Sequence, residues 1–144
     1  MKTYILILIT LFLTSCNLNR TYENREEDKK EAEKITQKFF SLVKENNKQE
    51  ALKLFGKGFF KVSNKNELNQ TIEWTKKEAG NISNYSLYEW ETTVVTGTNP
   101  KANYLLVYNA QRDKINTEEI FSLEKENDSI KIIGYKVNLE VVTK

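Results

Sequence analysis

Residues 85–95 read YSLYEWETTVV. Bulky and polar side chains alternate through this stretch, and a period of two is the signature of a β-strand with two different faces. Tyr88, Trp90, Thr92 and Val94 fall on one face, and Leu87, Glu89 and Glu91 on the other. The stretch decides the fold because the pattern changes there. Before Asn84 the apolar residues recur at helical spacing. From Asn84 to the end they alternate.

Downstream, turn signals divide the alternating region into four strands. Gly97-Thr98-Asn99-Pro100 ends the first and contains the chain's one proline. Ala102 to Ala110 is apolar on both faces, with Tyr104, Leu106 and Tyr108 on one and Leu105 and Val107 on the other. Two apolar faces predict a central strand. Arg112-Asp113-Lys114 turns the chain into a third strand, Thr117 to Lys125, which sets Phe121 and Leu123 against Glu118, Ile120 and Glu124. After Asn127-Asp128, Ser129 to Val142 is the fourth. There Ile133, Tyr135, Val137 and Leu139 alternate with Ile132, Gly134 and Lys136. Gly134 within a strand predicts a bulge or bend.

Upstream, three helices are expected. Asn24 to about Asn46 carries Ala32, Ile35, Phe39 and Val43 on one face, and Asn24 with Glu27 has capping-box spacing. Asn47 with Glu50 starts a short second helix, ended by Gly56 and Gly58. Phe59, Phe60 and Val62 follow as a short strand or link. Asn64 with Glu67 starts the third helix, whose inner positions are Leu68, Ile72 and Ala79, and Gly80 is placed to cap its end. Helices first and an antiparallel meander second predict an α+β fold, with N-terminal helices packed on one face of a curved four-stranded sheet.

The chain begins MKTYILILITLFLTSC. Lys2 is a one-charge basic start, and Ile5 to Leu13 is an apolar run broken only by Thr10. The run is about half of what a membrane-spanning helix needs; with its small-residue exit it has the layout of a secretory signal peptide. Leu13-Thr14-Ser15-Cys16 resembles the bacterial lipobox. That resemblance implies cleavage after residue 15 and lipid on the Cys16 thiol, hence a domain held outside the cytoplasm on a bacterial cell membrane or outer membrane. Several acyl chains, each contributing about 0.8 kcal/mol per buried CH₂, make a stable anchor. An unmodified secretion signal and a cytosolic protein with an apolar start are the alternatives. On this reading residues 1–15 are a discarded leader, 16–24 the lipidated cysteine and a flexible tether, and 25–144 one α+β domain.

Composition narrows the chemistry. The 144 residues include 22 Lys and Arg, 20 Asp and Glu, and no His. Loss of Lys2 leaves a nearly neutral chain, so no strong field attracts nucleic acid. Without His, the usual general base and commonest metal ligand are missing. Cys16 is the single cysteine, so no intramolecular disulfide is possible. No phosphate loop, zinc spacing or Ser/His/Asp set is present, and no cofactor or metal is expected.

The helix and strand order resembles the nuclear-transport-factor-2-like, cystatin-like α+β cone. More narrowly, the C-terminal half is similar to an uncharacterised family of small bacterial lipoproteins and secreted proteins. The residues that carry the likeness are Gly80; Tyr85, Leu87 and Trp90; Tyr104 and Tyr108; Glu119-Ile120-Phe121-Ser122-Leu123; and Lys131-Ile132-Ile133-Gly134-Tyr135. It covers about Ala32 to Leu139, and departs from the family pattern at Lys131, where an aromatic is frequent. The likeness implies a fold and a location and no known reaction.

Few residues invite a chemical role. Glu119 shares a strand face with Phe121 and Leu123, and a partly buried carboxylate there has a raised pKa and suits acid–base work in a cone cavity; a salt-bridged or rim Glu is the plainer reading. Glu89 and Glu91 form a carboxylate pair or an ordinary solvated face. Asp113 fits a turn. The set Trp74, Tyr85, Tyr88, Trp90, Tyr104, Tyr108 and Tyr135 packs a core or lines a pocket. Lys29, Lys30 and Lys34 sit near the tether, diluted by Glu31 and Glu33. The first helix is either an ordinary packed helix or one lying on the membrane. The expectation is a non-enzymatic binding or accessory domain, with membrane contact through Cys16 and an unknown envelope protein or small ligand as partner. A cone-cavity enzyme and a structural or inhibitory surface lipoprotein are the alternatives.

Overall fold

The computed structural model describes residues 19–140; the leader and Cys16 lie outside that range. In chain order the elements are β1 (Arg20–Glu23), α1 (Glu26–Lys44), α2 (Lys48–Leu52), α3 (Lys57–Phe60), α4 (Lys65–Ala79), β2 (Ile82–Thr96), β3 (Lys101–Arg112), β4 (Thr117–Glu126) and β5 (Ser129–Leu139). The strands form one antiparallel sheet in the order β1-β2-β3-β4-β5, with β3 at its centre as expected. The fold is α+β, helices followed by sheet, but the sheet has five strands and not four. The extra strand comes from the stretch read as tether. Arg20 pairs with Thr96 and Glu23 with Thr93. Three of its four side chains are exposed, so it shows no apolar alternation, and its pairing at the edge is mainly through the backbone.

α1 lies on the inner face of the sheet, against β2, β3 and β5. Its Ala32, Thr36, Phe39 and Phe40 are buried. Phe39 meets Phe55, Phe121 and Tyr135 edge-on, and Phe40 stacks on Tyr85 with ring centres 4.2 Å apart. Such pairs add about 0.5–1.5 kcal/mol each beyond area burial. The buried Tyr108 hydroxyl is hydrogen-bonded to Thr36 Oγ1 at 2.7 Å, and burial pushes the phenol far above its ordinary range. The aromatic residues therefore fill the space between the second half of α1 and the sheet. Trp74, Tyr88 and Phe60 remain exposed.

Three local expectations change. Asn24 does not cap α1. Its backbone N–H donates to Thr92 O and its Oδ1 accepts from Thr92 N, so the residue is used to end β1 against β2. Arg25 takes the cap position, and its guanidinium holds Asp28 in the first turn. Gly56 and Gly58 do not end α2, which stops at Leu52. The chain then runs extended beside β5, with Ile132 N donating to Leu54 O and Gly56 N to Ile132 O, both at 2.9 Å. Gly56 caps α3, which takes Phe59 and Phe60 into a helical turn and not a strand. A Cβ on Gly58 would stand 2.8 Å from Ile133 Cγ2, so glycine lets α3 approach β5 this closely.

Alternation also changes phase three times, first at a register shift between Ile82 and Asn84. A register shift between Leu87 and Glu89 turns Tyr88 outward, so Tyr85 and Leu87 face the core before it and Trp90, Thr92 and Val94 after it. On β5, Gly134 pairs with Ser122 but Ile132 with Leu123, leaving Ile133 as the extra residue of a bulge. Ile132, not Ile133, is the fully buried residue. The capping predictions at Asn47, Asn64 and Gly80 hold. Asn47 Oδ1 accepts from Glu50 N, Asn64 Oδ1 from Asn66 N and Glu67 N, and Gly80 adopts φ 88°.

Candidate functional site

Glu119 is placed by β4, whose alternation puts Thr117, Glu119, Phe121 and Leu123 on the inner face, all buried. The carboxylate has no solvent exposure. Its Oε1 accepts from Arg112 Nη2 at 2.5 Å and from Thr117 Oγ1 at 2.9 Å. Its Oε2 accepts from the Tyr135 hydroxyl at 2.7 Å. Each nitrogen of the Arg112 guanidinium has a partner. Nε donates to Thr117 Oγ1 at 3.0 Å, and Nη1 donates to the Gly80 carbonyl at 2.9 Å, at the C-terminus of α4. A cation at a helix C-terminus also answers the negative end of the helix dipole.

This network is closed. Burial first, and then the Glu119 charge, holds the Tyr135 phenol well above its ordinary range. Glu119 lines none of the surface clefts described below. A general acid or base must come within hydrogen-bond reach of a substrate. Glu119 instead neutralises Arg112 and ties β3, β4, β5 and the end of α4 together. The salt-bridged reading of this residue is the one the geometry supports. Arg112 is the residue that the sequence reading, which gives it to a turn, misses. The signal was available, because the inner-face series Tyr104, Leu106, Tyr108, Ala110 reaches Arg112 at the next step.

The other candidates are dispersed. Glu89 and Glu91 are exposed, opposite Val107 and Leu105. Paired carboxylates divide acid and base roles when their surroundings differ, and both of these face solvent. Asp113 Oδ2 accepts from Asn81 N and Nδ2, fastening the β3–β4 turn to the end of α4. Lys29 pairs with Glu26 and lies over the Trp90 ring, and Lys34 pairs with Glu31, so these lysines do not form one basic site. Cys16, the lipidation candidate, lies outside the described residues.

The open space is elsewhere. A cleft of about 520 Å³ runs between α1 and the sheet. It has an apolar floor that includes Ile35, Val94, Ala102 and Ile130, and a rim of both signs that includes Arg25, Asp28, Lys34 and Asp128. Tyr104 also lines it, and burial is the main cause raising that phenol's pKa. A shallower cleft of about 300 Å³ lies over Leu105 and Ser122. Among the described residues no helix is long and apolar enough to cross a membrane. No protein-family model matches this chain, and no curated protein matches it.

Proposed function

We propose that this chain is a bacterial lipoprotein of the cell envelope, anchored through lipid on Cys16. It carries a nuclear-transport-factor-2-like (cystatin-like) cone domain that binds a partner and does not catalyse a reaction. The observation that carries the non-catalytic reading is the closure of Glu119. Glu119, the buried carboxylate among the described residues, is held by Arg112, Thr117 and Tyr135 and lines neither cleft described above. The aromatic packing around Phe39 and Phe40 fills the interior under the second half of α1, and the cleft beside its first half carries a charged rim, which favours an envelope protein over a small ligand as partner. The lipobox-like stretch before Cys16 supports the anchor.

The test is fractionation. Cys16→Ala is expected to move the protein out of the membrane fraction after a high-salt wash, and the lipidated protein to co-purify with an envelope protein. Membrane association of the variant that survives that wash would sink the lipoprotein reading, because salt screens electrostatic contacts but does not extract an acyl anchor.

A further inference from the structure

Residues 51–66 read ALKLFGKGFFKVSNKN. The run contains no Asp or Glu, and four lysines stand in it at intervals of four: Lys53, Lys57, Lys61 and Lys65. All four are exposed. Lys53 pairs with Glu50, just outside the run, while Lys57, Lys61 and Lys65 form no ion pair among the described residues. Among them stand two of the molecule's exposed large apolar side chains, Phe60 at 38% and Val62 at 84% exposure. Phe60 meets the core through an edge-on contact with Phe59, Val62 stands clear of it, and the Glu119 network uses neither. Free cations interleaved with exposed apolar groups fit the boundary of an anionic bilayer, where the ammonium groups meet phosphates and the apolar groups enter the acyl edge.

Topology puts this segment where a membrane contact is needed. The described chain starts at Asn19, whose Oδ1 accepts from Thr98 N in the β2–β3 turn. The β4–β5 turn is at the same end of the sheet, since Asn103 pairs with Glu124. α3 is seated against that end from the β5 side, through Gly56 N to Ile132 O and Gly58 N to Glu126 Oε1. Of the nearby carboxylates, Glu124 and Glu126 stand by Gly58 and Gly56 on its sheet side, and Glu67 accepts from the Ser63 hydroxyl beside Val62. The N-terminal connection and the lysine segment thus flank one end of the sheet, at the β1 edge and the β5 edge.

We propose that the segment Lys53 to Lys65 is a second membrane contact that docks on an anionic phospholipid surface. The proposal rests on the anchoring reading for its geometry. With lipid at one edge and this segment at the other, the sheet end faces the bilayer and the Glu119 end faces away.

The test uses the full chain isolated from membranes, with a fluorescent amino acid incorporated at Val62 or, as control, at Ser83. It is mixed with vesicles of phosphatidylglycerol and phosphatidylcholine, or of phosphatidylcholine alone, containing brominated acyl chains. Strong quenching at position 62 and not at 83 on anionic vesicles is expected, falling severalfold on neutral vesicles and in the combined variant Lys57→Glu, Lys61→Glu, Lys65→Glu. A phosphate-bearing polymer cannot produce this signal, because acyl-chain bromine reports burial in lipid. If the protein floats with both vesicles but position 62 stays unquenched, the docking surface is overturned and the anchor stands. Flotation with anionic vesicles only, with position 62 quenched, supports the surface and removes the anchor. No flotation with either removes both.

Discussion

Glu118 and Glu119 are neighbours on β4, yet alternation sends them to opposite faces of the sheet. Each accepts from a tyrosine and from a nitrogen donor. Glu119 takes Tyr135 and Arg112 on the inner face, where its side chain is fully buried and that of Arg112 is 3% exposed. Glu118 takes Tyr88 at 2.5 Å and Asn138 at 2.7 Å on the outer face, linking β2 to β4 and β5 across β3. On paper the two networks look equivalent. What separates them is the alternative open to each partner. If a contact breaks outside, water replaces it. Inside, nothing does, so the buried network holds the fold and the outer one mainly adjusts protonation.

Breaking the inner network at its cation is predicted to have the largest effect. Arg112→Ala leaves the Glu119 charge buried without its partner and is expected to cost about 3–5 kcal/mol, measured by urea denaturation. A loss below about 1 kcal/mol would mean that the two faces do not differ as described.

Tyr135→Phe keeps the ring against Phe39 but removes the donor to Glu119 Oε2. Its expected cost is about 2 kcal/mol, the range for a hydrogen bond to a charged group. The same change on the outer face, Tyr88→Phe, sharpens the contrast and should leave the denaturation midpoint where it was.

The smallest effect is one of titration. The Glu118 hydrogen bond is the first cause raising the Tyr88 phenol, to about 12, and the Tyr88 bond is the first cause lowering the Glu118 carboxyl. The signs follow from linkage. Tyr88's contribution is present below the ordinary tyrosine value and is lost as pH rises through about 12. Glu118's is present above the ordinary carboxylate value and is lost as pH falls through its depressed one. Glu118→Gln should bring one tyrosine back towards its ordinary pKa in a tyrosinate absorbance titration, with little change in stability. Tyr108 and Tyr135 should ionise only when the protein unfolds.

Wherever side chains announced an element, the sequence was readable. Asn64, Gly80 and the two-faced apolar run of β3 each carry their own local signal. Where backbone pairing decides, it was not. Arg20–Glu23 has no apolar face, its pairing being mainly through the backbone, and nothing local says that residues 54–56 will bridge to β5. The bulge at Tyr88 was hidden for a different reason. Tyrosine suits either face, so the change of phase leaves no mark in composition. The position of Glu119 was legible from alternation, but its chemistry was not. That depended on Arg112, across a turn, keeping to the inner face of β3 for one step longer than the turn assignment allowed.

The edges of the sheet have a consequence for solubility at high concentration. An open strand edge invites the same edge of another molecule, and ordered aggregates grow from such pairings. Here β5 is partly covered by the bridge at Phe55, and β1 is short and ends in Arg20 and Glu23. β1 covers β2 only from Thr93 to Thr96. Both register shifts of β2, at Ile82/Asn84 and Leu87/Glu89, fall in the half left uncovered. A bulged strand cannot offer an incoming chain an unbroken ladder, so the irregularities of β2 stand where intermolecular strand addition would otherwise begin.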